Sequence, residues 1–221
     1  MLPSRAAPRS PDVAAPAPAG MRYLALGDSY TIGEGVDAAA RWPVQLATAL
    51  REEGIALRDP RIIATTGWTT DELASAIDAA EPLGRWELVS LLIGVNNQYR
   101  GRSVVDYRGE FSELLERAIG FADGRTNRVV VVSIPDWGVT PFAIHEADNR
   151  GNISAEIDAF NAAARAVCEK RGVAFVDITP ASRDRGGEPD QVAEDGLHPS
   201  AAMYTTWTGL VLPVARKLLS A

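Results

Sequence analysis

The sequence has only one cysteine, Cys168, so it contains neither an intrachain disulfide nor a metal site ligated by paired thiolates. Cys168 reads as a small core hydrophobe. Histidine is almost as scarce, with only His145 and His198, so any chemistry that needs an imidazole has two candidates. Basic residues are the minority: 22 Lys and Arg against 29 Asp and Glu give a net charge of −7. Such a surface repels phosphate backbones and anionic membranes, and nucleic acid is not expected as a partner. No apolar run reaches the length of a membrane span, so no stable membrane insertion is expected. What remains is an ordinary globular composition, 46% hydrophobic and 23% charged, in 221 residues, enough for one sizeable core and a tail.

Residues 1–20 hold five prolines among many alanines and show no hydrophobic period, which suits a disordered or polyproline-like extension. Two early arginines hint at a signal peptide, but the uninterrupted apolar stretch of one is missing, so a cytoplasmic protein is expected. Met21, directly before the first strand-like run, is an alternative start of translation; otherwise the tail is a linker.

From Met21 onward, short β-branched and aliphatic runs at 22–26, 61–64, 88–93, 128–134 and 173–178 alternate with amphipathic segments at 43–53, 71–79, 104–121, 154–170 and 201–219. The third and fourth runs are almost continuously apolar, as strands covered on both faces must be. In the third amphipathic segment Tyr107, Phe111, Leu114, Leu115 and Ala118 share one helical face, and Ile157, Phe160, Ala164, Val167 and Cys168 do so in the fourth. Pro213 is expected to kink or interrupt the last helix. The pattern predicts an α/β fold over 21–221: a three-layer α/β/α sandwich on a flavodoxin-like five-stranded parallel sheet. Such sheets bind ligands beyond the carboxyl ends of their strands.

The polar residues at those ends form an ordered set. The first run ends in Gly27-Asp28-Ser29, where a serine at a strand-to-helix turn can present its hydroxyl into a cleft and lend its N–H to developing negative charge. Alone, the tripeptide is also an ordinary turn. The second run leads to Gly67, whose backbone can approach a ligand closely; otherwise it is a glycine turn with Thr70 or Asp71 capping the next helix. The third leads to Gly94-Val95-Asn96, whose amide can point at a substrate oxygen or satisfy loop backbone groups. The last helix is entered through Asp195-Gly196-Leu197-His198-Pro199. A local turn there can aim Asp195 at one imidazole nitrogen of His198 and leave the other for Ser29. The other histidine sits near acids, as His145, Glu146 and Asp148, at a spacing that matches no strong metal motif, so no metal is expected.

In this combination and order the blocks resemble those of GDSL-type SGNH hydrolases, with the resemblance running through essentially all of 21–221. It implies Ser29 as nucleophile, His198 as general base and acid, Asp195 as its orienter, and an oxyanion hole of the Ser29 and Gly67 N–H groups and the Asn96 side chain, with no cofactor. The resemblance implies an esterase or acylhydrolase of small-molecule esters. One departure stands out: the family commonly has Asp after the asparagine, where this chain has Asn97.

Substrate preference is less legible. Asp28, Asn97, Tyr99, Arg100 and Trp137 are candidate substrate contacts. Trp42, Tyr99, Trp137 and Phe142 lie in or near expected loops and can wall a pocket or pack beneath it. Arg100, Arg102 and Arg108 can attract an anionic substrate group or pair with surface acids. Short or medium acyl esters are expected, with carbohydrate O-deacetylation and lysophospholipase or thioesterase action as alternatives on the same site. A non-catalytic binding module and a flavin-binding electron carrier on the same architecture are disfavoured by the completeness of the Ser, Asn, Asp and His set and by the serine motif after the first strand.

Overall fold

A computed structural model describes residues 20–145 and 150–220. Along the chain run β1 (Tyr23–Gly27), α1 (Ser29–Ile32), α2 (Trp42–Glu52), β2 (Arg61–Ala64), α3 (Thr70–Ala80), β3 (Leu88–Leu92), α4 (Val95–Tyr99) and α5 (Val104–Phe121). There follow β4 (Val129–Val132), α6 (Pro141–His145), α7 (Arg150–Arg171), β5 (Ala174–Val176), α8 (Thr179–Arg185) and α9 (Ala201–Ser220). The strands form one parallel sheet in the order β2-β1-β3-β4-β5. This is the flavodoxin-like order, and the fold is the expected α/β/α sandwich. The order in which strands are added switches sides of β1 between β2 and β3, which opens a crevice at the carboxyl ends of β1 and β3.

Burial explains why these strands are nearly all apolar. Every residue of β1, β3 and β4 is buried, because helices cover both faces of the sheet. Helix α2 packs with α9, while α3 packs on α5 and α5 on α7. The shared face of α5 is buried as its periodicity predicts, and Cys168 is buried in the core on α7.

Three local expectations change. Helix α9 runs unbroken through Pro213: the missing N–H forfeits one bond, but Trp207, Val211, Ala215 and Leu219 are all buried along the same helix and hold it. The residue that caps α3 is Thr69, one position before the two expected, with the Glu72 carboxylate accepting its N–H at 2.9 Å. Trp42 is no loop residue; it opens α2 and is fully buried in the core. The proline-rich tail to residue 19, Glu146 and Asp148, and the side chain of His145, lie outside the described residues.

Candidate active site

The crevice at the carboxyl edge of the sheet is floored by the turn after β1. Asp28 caps α1 through a bond from the Tyr30 N–H to its Oδ1 (3.0 Å), which fixes the strand-to-helix turn and makes Ser29 the first residue of the helix. Burial pushes the Asp28 carboxyl up to about 7, against the opposing pull of backbone N–H bonds that include Tyr30. Ser29 lines the crevice; Asp28 lies wholly beneath it.

Opposite, the turn before α9 builds a rigid acid–imidazole pair. The Asp195 Oδ1 accepts the N–H groups of Leu197 and His198, both at 2.9 Å, and its Oδ2 lies 2.6 Å from His198 Nδ1. Gly196, at φ 68°, gives the turn its left-handed residue, and the bond from the Ala193 N–H to the His198 carbonyl (2.7 Å) closes the loop. Burial raises the Asp195 carboxyl, but the bonds from His198 and the two backbone N–H groups outweigh it and hold the group below the usual carboxylate range. A carboxylate at Nδ1 selects the tautomer protonated there, so Nε2 is left as an acceptor. The Tyr30 ring meets the His198 ring edge to face, with centroids 5.8 Å apart, and rests in turn on Trp207.

The third part comes from the loops after β2 and β3. Asn96 sits on the short helix α4, whose start is set by Gly94: at φ 130°, a Cβ there would stand 2.5 Å from the Tyr107 ring. One hydrogen of the Asn96 Nδ2 goes to the Trp68 carbonyl at 2.9 Å, which fixes the amide beside Gly67. Gly67 has φ 87°, a backbone that favours glycine.

Ser29, Gly67, Asn96 and His198 all line one cleft of about 210 Å³, together with Tyr30, Thr66, Val95, Tyr99, Trp137, Phe142 and Leu197. Its apolar wall is a chain of rings: Tyr99 meets Trp137 at 5.5 Å, and Trp137 meets Phe142 at 6.2 Å. Trp137 is fixed from behind, because its Nε1–H donates to Gln98 Oε1 (2.8 Å) and Gln98 Nε2 donates to Glu156 (2.6 Å). The preceding Asp136 carboxylate, fully buried, accepts from the Gly138 N–H, the Ser154 hydroxyl and the Arg183 guanidinium. A buried carboxylate stripped of such partners is strongly destabilising, so this turn is rigid.

Of the expected substrate contacts, Tyr99 and Trp137 line the cleft. Asp28 and Asn97 do not, which corrects that expectation: both are fully buried, the first as a cap and the second bonded to Thr70. Arg100 also stays out of the lining, with its guanidinium on the Gly67 carbonyl and on Glu72. Nor do the three arginines form one cluster: Arg102 pairs with Asp71, and Arg108 faces a groove between α5 and α7. Tyr30 and Thr66 are lining residues outside the motifs, and Val95 and Leu197 are lining residues that stand inside them with no role assigned. Their signal was adjacency, since each directly neighbours Ser29, Gly67, Asn96 or His198.

A parallel α/β sandwich with a serine, an asparagine and a carboxylate-backed histidine at the carboxyl edge of its sheet defines a hydrolase class. The chain belongs to the GDSL-like lipase/acylhydrolase family, whose model matches residues 25–206, and it is an ester-hydrolysing enzyme. No curated protein matches the sequence. Among solved structures it is similar to TesA (20% identity, TM-score 0.70, covering 90% of this chain and 99% of that one). It is also similar to the psychrotrophic esterase EstA from Pseudoalteromonas sp. (16%, 0.69, 90% and 99%). A variant of Axe2, an acetyl-xylooligosaccharide esterase from Geobacillus Stearmophilus, matches at 19% identity and TM-score 0.67, covering 89% and 94%. At these identities the likeness is one of fold.

Proposed function

We propose that the chain cleaves carboxylic esters of short to medium acyl chains through Ser29, His198 and Asp195, by way of an acyl-enzyme. The Ser29 hydroxyl attacks the ester carbonyl while His198 Nε2 takes its proton; the C–O bond to the alcohol then breaks, and the same proton leaves with the alcohol. Water repeats the sequence on the acyl-serine, releasing the carboxylic acid and restoring the serine. The negative oxygen formed in each step is held by the N–H groups of Ser29 and Gly67 and the second Nδ2 hydrogen of Asn96. Asp195 keeps the imidazole in the required tautomer and offsets its positive charge.

The observation that carries this reading is the 2.6 Å bond between Asp195 and His198 in a turn that places His198 on the same cleft as Ser29, Gly67 and Asn96. A cleft of about 210 Å³ with a ring-lined wall suits a small apolar acyl group. Tyr99, 55% exposed at the rim, favours a second reading in which the alcohol is a sugar that stacks outside the cleft, making the enzyme a carbohydrate O-deacetylase.

The test is hydrolysis of nitrophenyl esters of increasing chain length beside acetylated sugars and lysophospholipids, with fluorophosphonate labelling of the serine. Activity that falls with chain length and disappears in Ser29→Ala is expected. Retained turnover in purified Ser29→Ala protein would overturn the assignment.

A further inference from the structure

The oxyanion hole proposed above leans on a glycine at φ 87°, in the loop between β2 and α3. Glycine is the residue with the widest backbone freedom, and the turn bond around it, from the Trp68 N–H to the Thr65 carbonyl, is long at 3.3 Å, so restraint from outside the turn bears on the direction of the Gly67 N–H. Four bonds to this loop and to the first residue of α3 come from α4 or the residue that follows it. Arg100 Nη2 donates to the Gly67 carbonyl at 2.7 Å, and Asn96 Nδ2 donates to the next carbonyl, that of Trp68, at 2.9 Å. Further along, Asn97 Oδ1 accepts the Thr70 N–H at 3.1 Å while its Nδ2 donates to the Thr70 hydroxyl at 2.6 Å. The guanidinium is held in turn by Glu72 on α3, at 3.3 Å.

We propose that Arg100 is a positioning residue of the ester-hydrolysing site: its guanidinium braces the Gly67 carbonyl and so restrains the Gly67 backbone torsions that aim its N–H at the developing oxyanion. The inference rests on the oxyanion-hole reading given above. Arg100 lines no part of the cleft, so it acts through Gly67 and never on substrate. Its pair with Glu72 is half-exposed and contributes little stability by itself, which makes the brace a matter of geometry. A planar fork suits the task, because two donors in fixed relation span the carbonyl and the carboxylate at once. With Asn96 on α4 and Arg100 immediately after it, one short segment carries the side-chain donor and aims the backbone donor.

A donor that matters only when charge develops changes kcat and leaves KM alone. Arg100→Met is therefore expected to lower kcat on a nitrophenyl ester about tenfold, a fraction of the loss of a whole donor, with KM within about twofold. Turnover is referred to serines titrated with a fluorophosphonate, and thermal melts check the fold. Arg100→Lys, which keeps the charge on a single donor nitrogen and loses the planar fork, is expected to fall between parent and Arg100→Met. Should Arg100→Met not fold, Glu72→Gln carries the test: glutamine still accepts the Thr69 N–H but turns a donor toward Arg100, and kcat should fall about threefold at constant KM. Unchanged kcat in a folded variant, or a loss borne by KM, overturns the brace. If Ser29→Ala is inert while Arg100→Met turns over at the parental rate, only the brace fails; if Ser29→Ala keeps its turnover, the site reading fails and takes the brace with it.

Discussion

The side-chain amide of Asn96 donates to the carbonyl of Trp68 at 2.9 Å, tying the helix that follows β3 to the loop that follows β2. The loops after β2 and β3, the two strands that flank β1, thus line one cleft. The bond uses one Nδ2 hydrogen and orients the other.

Asn96→Ala is expected to lose about 3 kcal/mol of transition-state stabilisation, roughly a hundredfold in kcat. KM on the same ester should change little, and the melting temperature should drop only slightly, because the side chain is part of the cleft surface. Asn96→Asp, which keeps the size but offers no donor when ionised, should be impaired as badly. A kcat within a few-fold of the parent in either variant would remove Asn96 from the oxyanion hole.

Asp195→Asn keeps an oxygen for the Leu197 and His198 N–H groups but turns an amide toward Nδ1, so the imidazole loses the tautomer that leaves Nε2 free. Turnover should fall by between about tenfold and 10⁴-fold at neutral pH, with the turn intact. The stability effect has a definite sign. The folded-state pKa of Asp195 is depressed, so its contribution is present above the ordinary carboxylate range and is lost as pH falls through the folded-state value. The gap between parent and Asp195→Asn melting temperatures should therefore close in acid; a gap that widens there would contradict the bonding described.

Strand positions were legible to within a residue or two because continuous apolar runs such as Val129–Val132 belong to strands covered on both faces. The longer helices were legible through their period. Helices α1 and α4 were not, since four or five residues show no period, and they are the segments that carry Ser29 and Asn96. Motif order found the residues of the cleft edge without finding the helices beneath them. Direction was the harder question: Asp28 and Asn97 adjoin cleft residues, and nothing in a linear sequence says that their side chains turn into the wall. That choice is made by tertiary partners, the α1 backbone for Asp28 and Thr70 for Asn97.

Asn97 shows why this chain departs from the aspartate common at that position. Its Nδ2 donates to the Thr70 hydroxyl at 2.6 Å, and that hydroxyl donates to the Glu110 carboxylate, which also lies 3.4 Å from the Asn97 amide. An aspartate would lose the donor, compete with Glu110 for one hydroxyl hydrogen, and set two carboxylates side by side. Asn97→Asp should destabilise the protein by about 1–3 kcal/mol at neutral pH, read as a loss of several degrees in melting temperature. Acidification should narrow the difference, because one proton shared between the carboxylates restores a donor. A melting temperature equal to the parent's at neutral pH would show that Glu110 does not constrain this position.

Asp28 gives the opposite pH signature to Asp195. It is completely buried, one oxygen accepts the Tyr30 N–H, and the other, Oδ2, has no partner among the described residues. Burial lifts its pKa from 3.8 to about 7, so across that window the folded state holds a proton that the unfolded chain has released. Stability then falls as pH rises from about 4 to about 7, and flattens above, with a full amplitude on the order of 4 kcal/mol. An asparagine in its place would keep the cap to Tyr30 through its own side-chain oxygen and carry no charge at any pH. Asp28→Asn should accordingly gain stability relative to the parent as pH is raised through this window, with the gain complete near pH 8. Denaturant melts of both proteins at pH 4, 5.5, 7 and 8 measure the difference directly, and a difference that stays constant across those values would mean that Asp28 is ionised in the folded state throughout.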